Sequence, residues 1–548
     1  MKYSYALMFM LVMGGITAFA TKQSDANICG TVTVCGKPMA DVVVSDGVQV
    51  AVTDAEGRYA LTSDKVNGWV YVSIPSGYEV PVMRGLPQFY ALTTAAPDEL
   101  EQHDFQLVPV DQSRFKLLAV SDMHLADRFN DLEQFSSSFV PSIKREIDRS
   151  AGMPVYTLNL GDMSFDAYWY ANDYDISNYR KTIEVLDYPT PIFHVPGNHD
   201  HDGAVAADSV TNVDFQAIRP YVKALGPNYY SFNVGGAHVV MLDNIVYENN
   251  PGGKRFKNIK GARDYEKRVT DAQLEWLRRD LEMVKDKDAP IFVGMHSPAY
   301  KYVGATDSVA SWFSKPQYSE DLSACFDGFT NVHFVSGHIH NNNTVYAKPN
   351  ITEHNIAAVC GVWWLPGSLS LPNICPSGAP VGFESFNVSG NDVDWQFVGI
   401  VEGDNMFRAY DINAVKKYYD GNPEMEEFLA NYPARDLRNE EANVIYVNVY
   451  DYAPDWTVRV VDCNGNDLDV EHKLLEDPCL TVFYHLPQCL LSGNYPKSKA
   501  KATVNHMFRA VAPDATSPVS IIVTDRFGRS QTQTLIRPAA FPNEANRL

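Results

Sequence analysis

Five short stretches concentrate the side chains of this 548-residue chain that ligate metals or move protons. They are Ser121-Asp122-Met123-His124, Gly161-Asp162, Pro196-Gly197-Asn198-His199-Asp200, Met295-His296 and Gly337-His338-Ile339-His340. Asp122, His124, Asp162, Asn198, His296, His338 and His340 make seven oxygen and nitrogen donors. That is enough for two divalent transition-metal ions if one carboxylate bridges them. No thiolate is among them, and no CxxC occurs, which suits manganese, iron, zinc or cobalt better than copper(I). Side chains alternate along extended backbone, so Asp122 and His124 are expected to point the same way, as are His338 and His340. Gly161, Gly197 and Gly337 each precede donors, where a missing Cβ permits a sharp turn and room for an ion.

Each stretch follows an apolar run: FKLLAV, VYTLNL, PIFHV, PIFVG and VHFVS. A buried strand that ends in a polar loop puts that loop at the rim of a sheet, where open α/β sheets gather ligands. Helical segments alternate with these runs. In TDAQLEWLRRDLEMV, Thr270 and Gln273 form a capping box, and Leu274, Leu277 and Leu281 share one face. Ten of the fourteen histidines fall between residues 111 and 400, which marks that region as the place for chemistry.

The flanks differ in character. Residues 21–110 read as a β-sandwich: short β-branched runs are cut by GKP, SDG and DAEGR turns, resembling prealbumin-like or carboxypeptidase-regulatory modules. Residues 401–548 return to β-rich patterning. There, VIYVNVYDYAPDWTVRVVDCNG and PVSIIVTDRFGRSQTQTLI read as hairpin-forming strands, joined to the middle region by a polar connector expected to carry helix. Lys2, the apolar YALMFMLVMGGI and the small-x-small AFA at Ala18–Ala20 fit a secretory signal over residues 1–20, with export to a periplasmic or extracellular space. The run is too short for a transmembrane span, and no other stretch approaches one. A net charge of -22 argues against nonspecific binding to nucleic acid or an anionic membrane. Export makes disulfides possible, and Cys360–Cys375 and Cys463–Cys479 would close plausible loops, whereas Cys29 and Cys35 stand too far apart on one straight strand.

Taken together, D-M-H, G-D, G-N-H-D, M-H and G-H-I-H resemble the full motif set of the calcineurin-like metallophosphoesterases over about residues 113–400. The flanking modules resemble those of a secreted bacterial branch of that superfamily, as do AAVCGVWW and VTDRFGR. The resemblance implies a two-sheet α/β/β/α sandwich with N- and C-terminal all-β domains and two metals at one edge. It implies that Asp122, His124 and His340 hold one metal, that Asn198, His296 and His338 hold the other, and that Asp162 bridges. His199 would be the general acid, with Asp200 able to orient it. The implied reaction is hydrolysis of a phosphate ester, such as a phosphorylated small molecule, by a metal-activated hydroxide. Purple acid phosphatases are near relatives whose iron ligand is a tyrosine three residues after the G-D aspartate. Phe165 stands there in this chain, and is expected to pack against the sheet.

Asp166, Tyr168, Trp363 and Trp364 are further candidates for substrate contact. Asp166 could instead hydrogen-bond His199 or cap a turn, and the aromatics could form a rim or simply pack. His201 and Asp202 read as loop or supporting residues, and Asp243 has no ligand role in the motif. Monoester and diester hydrolysis both remain open, as does a glycan- or partner-binding protein on a phosphoesterase core.

Overall fold

A computed structural model describes residues 26–205, 210–249, 264–304, 308–365, 373–496 and 504–541. The apolar leader lies outside the described residues.

The apolar runs are strands, and their register explains how distant motifs meet. Arg114–Val120 pairs in parallel with Val155–Asn159, which pairs in parallel with Ile192–His194. In a second sheet, Ile291–Met295 pairs in parallel with Val332–Ser336. Parallel neighbours end at the same side, so the five loops that follow these strands collect at one rim. The first sheet has five strands, closed by the antiparallel pair Gly382–Ser389 and Asp392–Gly399. The second has six, from Tyr230–Val234 at one edge to Asn343–Lys348 at the other.

After Arg114 every residue of Arg114–Val120 is buried, and its apolar side chains alternate between two cores with the period of two expected of a strand. Phe115, Leu117 and Ala119 join a core shared with Val239 and Phe292 of the second sheet. Leu118 and Val120 join another with Ile143, Ile176 and Ile183, on the helices Val140–Arg149 and Ile176–Leu186. The helix Asp271–Glu282 buries Leu274, Leu277 and Leu281, as its spacing predicts. Its Thr270 hydroxyl accepts from Gln273 N, but the Gln273 side chain donates to the Asp243 carbonyl at 2.9 Å instead of closing a reciprocal box. The architecture is therefore α/β, two facing sheets with helices outside them.

The N-terminal strands form a six-stranded and a four-stranded sheet. Trp69 packs edge-on against Tyr229 at 5.3 Å, which merges this sandwich with the central core. In the C-terminal region Val519–Thr524 and Ser530–Leu535 do form a hairpin. Val444–Val449 and Thr457–Val461 do not: the first pairs with Phe407–Asp411 and Val504–Val511, the second with Val519–Thr524 in a separate sheet. The intervening Tyr-Asp-Tyr-Ala-Pro-Asp segment carries the chain across instead of turning it back. The connector holds the helices Ile412–Gly421 and Pro423–Asn431. All eight cysteines are free thiols, so neither the Cys360–Cys375 nor the Cys463–Cys479 loop is closed. No helix among the described residues is long and apolar enough to cross a membrane.

Candidate metal centre

The loops after the five strands do not run extended. Asp122, His124, Asp162, His338 and His340 all have left-handed backbone, with φ between 46° and 67°. The D-x-H and H-x-H pairs therefore converge by turning, not by strand alternation. Non-glycine residues adopt this region at a cost, and they cluster where surrounding structure holds functional groups in place. Here the holding is explicit. Asp122 N donates to the Gly161 carbonyl at 3.0 Å, and His124 N to the Asp162 carbonyl at 2.9 Å. Gly161 does turn, at φ 94°. Gly197 and Gly337 serve close approach instead. A Cβ on Gly197 would fall 2.2 Å from Asp162 Oδ1, and one on Gly337 would fall 1.8 Å from Ser121 Oγ.

All seven expected donors come together. Asp122 spends Oδ2 on the His338 backbone N–H at 2.8 Å and the Ser121 hydroxyl at 2.7 Å. Its Oδ1 is buried with no hydrogen-bond partner, and lies 3.2 Å from His340 Nε2 and 3.5 Å from His124 Nε2. Asp162 accepts the His199 N–H on Oδ1 at 2.7 Å. Its Oδ2 stands 3.6 Å from His124 Nε2 and 3.1 Å from His296 Nε2, between the two halves of the cluster. Asn198 Oδ1 and His338 Nδ1 lie 3.1 and 3.2 Å from His296 Nε2.

Tautomers are fixed from behind. His296 Nδ1 donates to the Leu160 carbonyl at 2.8 Å and His340 Nδ1 to the Gly361 carbonyl at 2.7 Å. Each ring then turns an Nε2 lone pair inward, the arrangement that metal-binding histidines use. Burial pulls His124 down to about 4 and His338 to about 3, so both are neutral at pH 7 and free to offer a lone pair. Burial also opposes the charge on His296, but Asp162 and Asp122 lift it to about 9. Carboxylates buried this deeply seek positive charge, which divalent cations supply in place of protons. The donor set thus fits two ions: Asp122, His124 and His340 on one side, Asn198, His296 and His338 on the other, with Asp162 between.

Three family profiles match this chain. The N terminal of calcineurin-like phosphoesterase matches residues 26–110, calcineurin-like phosphoesterase matches 115–342, and the C terminal of calcineurin-like phosphoesterase matches 353–530. The chain belongs to the calcineurin-like phosphoesterase family. Among curated proteins, purple acid phosphatase 21 of Arabidopsis thaliana is 24% identical over 166 residues, 28% of this chain and 33% of that protein, so the chain spans about a third of that relative. Among solved structures, a dimetal phosphatase from Danio rerio is 15% identical, covering 52% of this chain and 96% of its own, with a TM-score of 0.34. A 5'-nucleotidase from Candida albicans is 10% identical, covering 64% and 68%, with a TM-score of 0.30.

Around this calcineurin-like centre the structure separates the remaining candidates. His199 Nδ1 and Asp166 Oδ1 are 2.6 Å apart, both buried, and His199 Nε2 lies 4.0 Å from Asp162 Oδ2. Asp166 is therefore the carboxylate that holds His199. Asp200, expected to orient His199, faces away from that ring. It accepts from Gly197 N at 2.9 Å, Ser164 N at 3.0 Å, Ser164 Oγ at 3.1 Å and Met163 N at 3.3 Å, and so ties two ligand loops together. Burial and the charge of Asp162 push it up to about 7. His201 is buried, donates Nδ1–H to the Gly197 carbonyl at 2.8 Å and stacks on Tyr247 at 4.8 Å, which leaves it outside the donor set. Asp243 is likewise buried and accepts from Asn228 at 2.8 Å.

A cleft of about 540 Å³ opens beside His124, lined by Phe165, Tyr168, Trp363 and Trp364 among others. Phe165 does not pack against the sheet. Its ring stacks on Trp363 at 5.1 Å and meets His199 and His124 edge-on at 4.7 and 5.4 Å. Trp363 is 36% exposed and forms the rim, whereas Trp364 is buried and donates Nε1–H to the Met123 carbonyl. Two residues here had no motif to mark them. The Arg128 guanidinium lies 4.1 Å from the Tyr168 ring and also lines the cleft. Cys360, with a thiol 3.8 Å from His340 Nδ1, backs the cluster; burial pushes that thiol up, so it is neutral packing. The sequence marked it only as part of AAVCGVWW and as a possible partner of Cys375.

Proposed function

We propose that the protein is an exported phosphoric ester hydrolase that works with two divalent transition-metal ions. The observation that carries this reading is the convergence of seven donors, six of them buried and His338 half-buried, none of them substituted. When bound, the ions would polarise phosphate oxygens, activate water near neutral pH and offset charge developing on phosphorus. The chain's own groups supply the rest. His199, held by Asp166, protonates the leaving-group oxygen. Phe165 and Trp363, in contact with the His199 ring, receive the leaving group and exclude water from it. Arg128 puts a positive charge at the same cleft.

The test is turnover of matched aryl phosphomonoesters and phosphodiesters after reconstitution with manganese, zinc, iron or cobalt. Hydrolysis of either series supports the reading. A fully metallated protein inactive on both would favour a binding protein built on this core.

A further inference from the structure

A second groove, of about 500 Å³, touches the metal centre at a different histidine. The aromatic cleft is lined by His124; this groove is lined by His338, and no residue lines both. Its walls come from two directions. One is the ribbon Tyr300–Tyr302 paired with Val309–Ser311. The ribbon is fixed from below by buried Glu353, whose carboxylate accepts Ala299 N at 2.9 Å and Tyr300 N at 2.6 Å. The other wall is C-terminal, with Asn505 and His506 from the strand Val504–Val511.

The chemistry of this groove runs against that of the chain. The protein carries a net charge of -22, yet no aspartate or glutamate lines the groove. Lys301 does. Its ammonium lies 4.1 Å from the centre of the Trp312 ring, and Lys267 places a second ammonium 4.6 Å from the same ring. Among the described residues neither lysine has a carboxylate within 4 Å. Two like charges on one indole repel each other, and an anion beside them would relieve that repulsion. The neighbouring polar groups also retain unspent capacity: Trp312 Nε1, Asn341 Oδ1 and His506 Nδ1 are buried without hydrogen-bond partners.

We propose that this groove is an anion subsite, and that the substrate is a phosphoester bearing a second anionic group, phosphate or carboxylate, beyond the scissile phosphorus. The subsite rests on the phosphoesterase reading for its geometry, since the scissile phosphate must sit at the metals for a second anion to reach Lys301. The charge of Lys301 and Lys267 supplies the attraction, and the C-terminal module completes the wall.

Three phosphonates test it on the metal-loaded full chain: ethylphosphonate, 3-phosphonopropionate and ethane-1,2-diphosphonate. Each is titrated calorimetrically and, where the enzyme turns over, assayed as a competitive inhibitor. A charge-assisted contact predicts that at least one of the two probes with a second anionic group binds about tenfold tighter than ethylphosphonate. The preferred probe identifies carboxylate or phosphate. In Lys301→Gln/Lys267→Gln that ratio falls toward one, and in Lys301→Arg it is kept. Equal affinity for all three probes, or a ratio that survives the double glutamine variant, overturns the subsite. Absence of turnover with the affinity ratio intact would sink the hydrolase reading while leaving the anion subsite standing.

Discussion

Replacing Asp166 by Asn separates the group that holds His199 from the groups that hold metal. The bond between His199 Nδ1 and Asp166 Oδ1 is 2.6 Å long, inside a site where both residues are buried. A hydrogen bond to a charged group contributes about 1.5–3 kcal/mol. If that is realised when His199 protonates the leaving group, its loss lowers kcat/KM by about 10- to 150-fold. Asn keeps an acceptor for Nδ1–H and loses only the charge, so Asp166→Asn should fall near the lower end and Asp166→Ala near the upper. The loss should be large for alkyl esters and small for 4-nitrophenyl esters, whose leaving groups need little protonation. Metal content should be unchanged, because Asp166 is not one of the seven donors and acts on the site through His199. Asp200→Asn is the contrast: it disturbs four hydrogen bonds that tie the Asp162 and Asn198 loops together, so it should lower metal content and thermal stability for every substrate alike. The assay is a leaving-group series measured beside elemental analysis. An equal loss across leaving groups in Asp166→Asn, or loss of metal in that variant, would refute the positioning role.

Gly337→Ala should displace Asp122, since the new Cβ would sit 2.5 Å from Asp122 Oδ2; the expected outcome is loss of about one ion per chain and an overpacking cost of about 1–3 kcal/mol, read by elemental analysis and thermal melting. Iron-loaded protein should show no tyrosinate charge-transfer band, because Phe165 lies 5.4 Å from His124 where purple acid phosphatases are expected to offer a phenolate; a strong purple band would mean that a tyrosine has joined the donors. Away from the site, burial would raise the Glu101 carboxyl, but the Thr94 and Ala95 N–H groups and Lys65 outweigh it and hold Glu101 at about 2. Its stabilisation is therefore present above the ordinary carboxylate value and lost as pH falls through about 2. Glu101→Gln should cost at most about 3 kcal/mol at pH 7, with the gap to wild type closing below pH 3 in urea unfolding.

Donor identity was legible in the sequence because coordination depends on residue type, and five apolar runs announced five parallel strands. The geometry that brings the donors together was not. D-M-H and H-I-H look like alternation on a strand, yet Asp122, His124, His338 and His340 turn inward through left-handed backbone stabilised by hydrogen bonds from other loops. The same limit left the roles of Asp166 and Asp200 open, with a bond from Asp166 to His199 only one of the alternatives. Adjacency to His199 favoured Asp200, whereas the ring is held by a residue 33 positions away. In the C-terminal region, strands neighbouring in sequence entered different sheets, because long-range pairing overrode the local hairpin pattern. The anion groove could not be foreseen at all: Lys301 and His506 are 205 positions apart and share no motif.

The central claim is that these seven donors hold two ions about one shared carboxylate. Elemental analysis of the reconstituted full chain and of Asp162→Asn tests it most directly. The account predicts close to two transition-metal ions per chain in the wild type and loss of most of both in the variant, because Asp162 Oδ2 stands between the His124 and His296 halves of the cluster. Wild-type protein that takes up no stoichiometric metal, or an Asp162→Asn variant that keeps both ions, would contradict it.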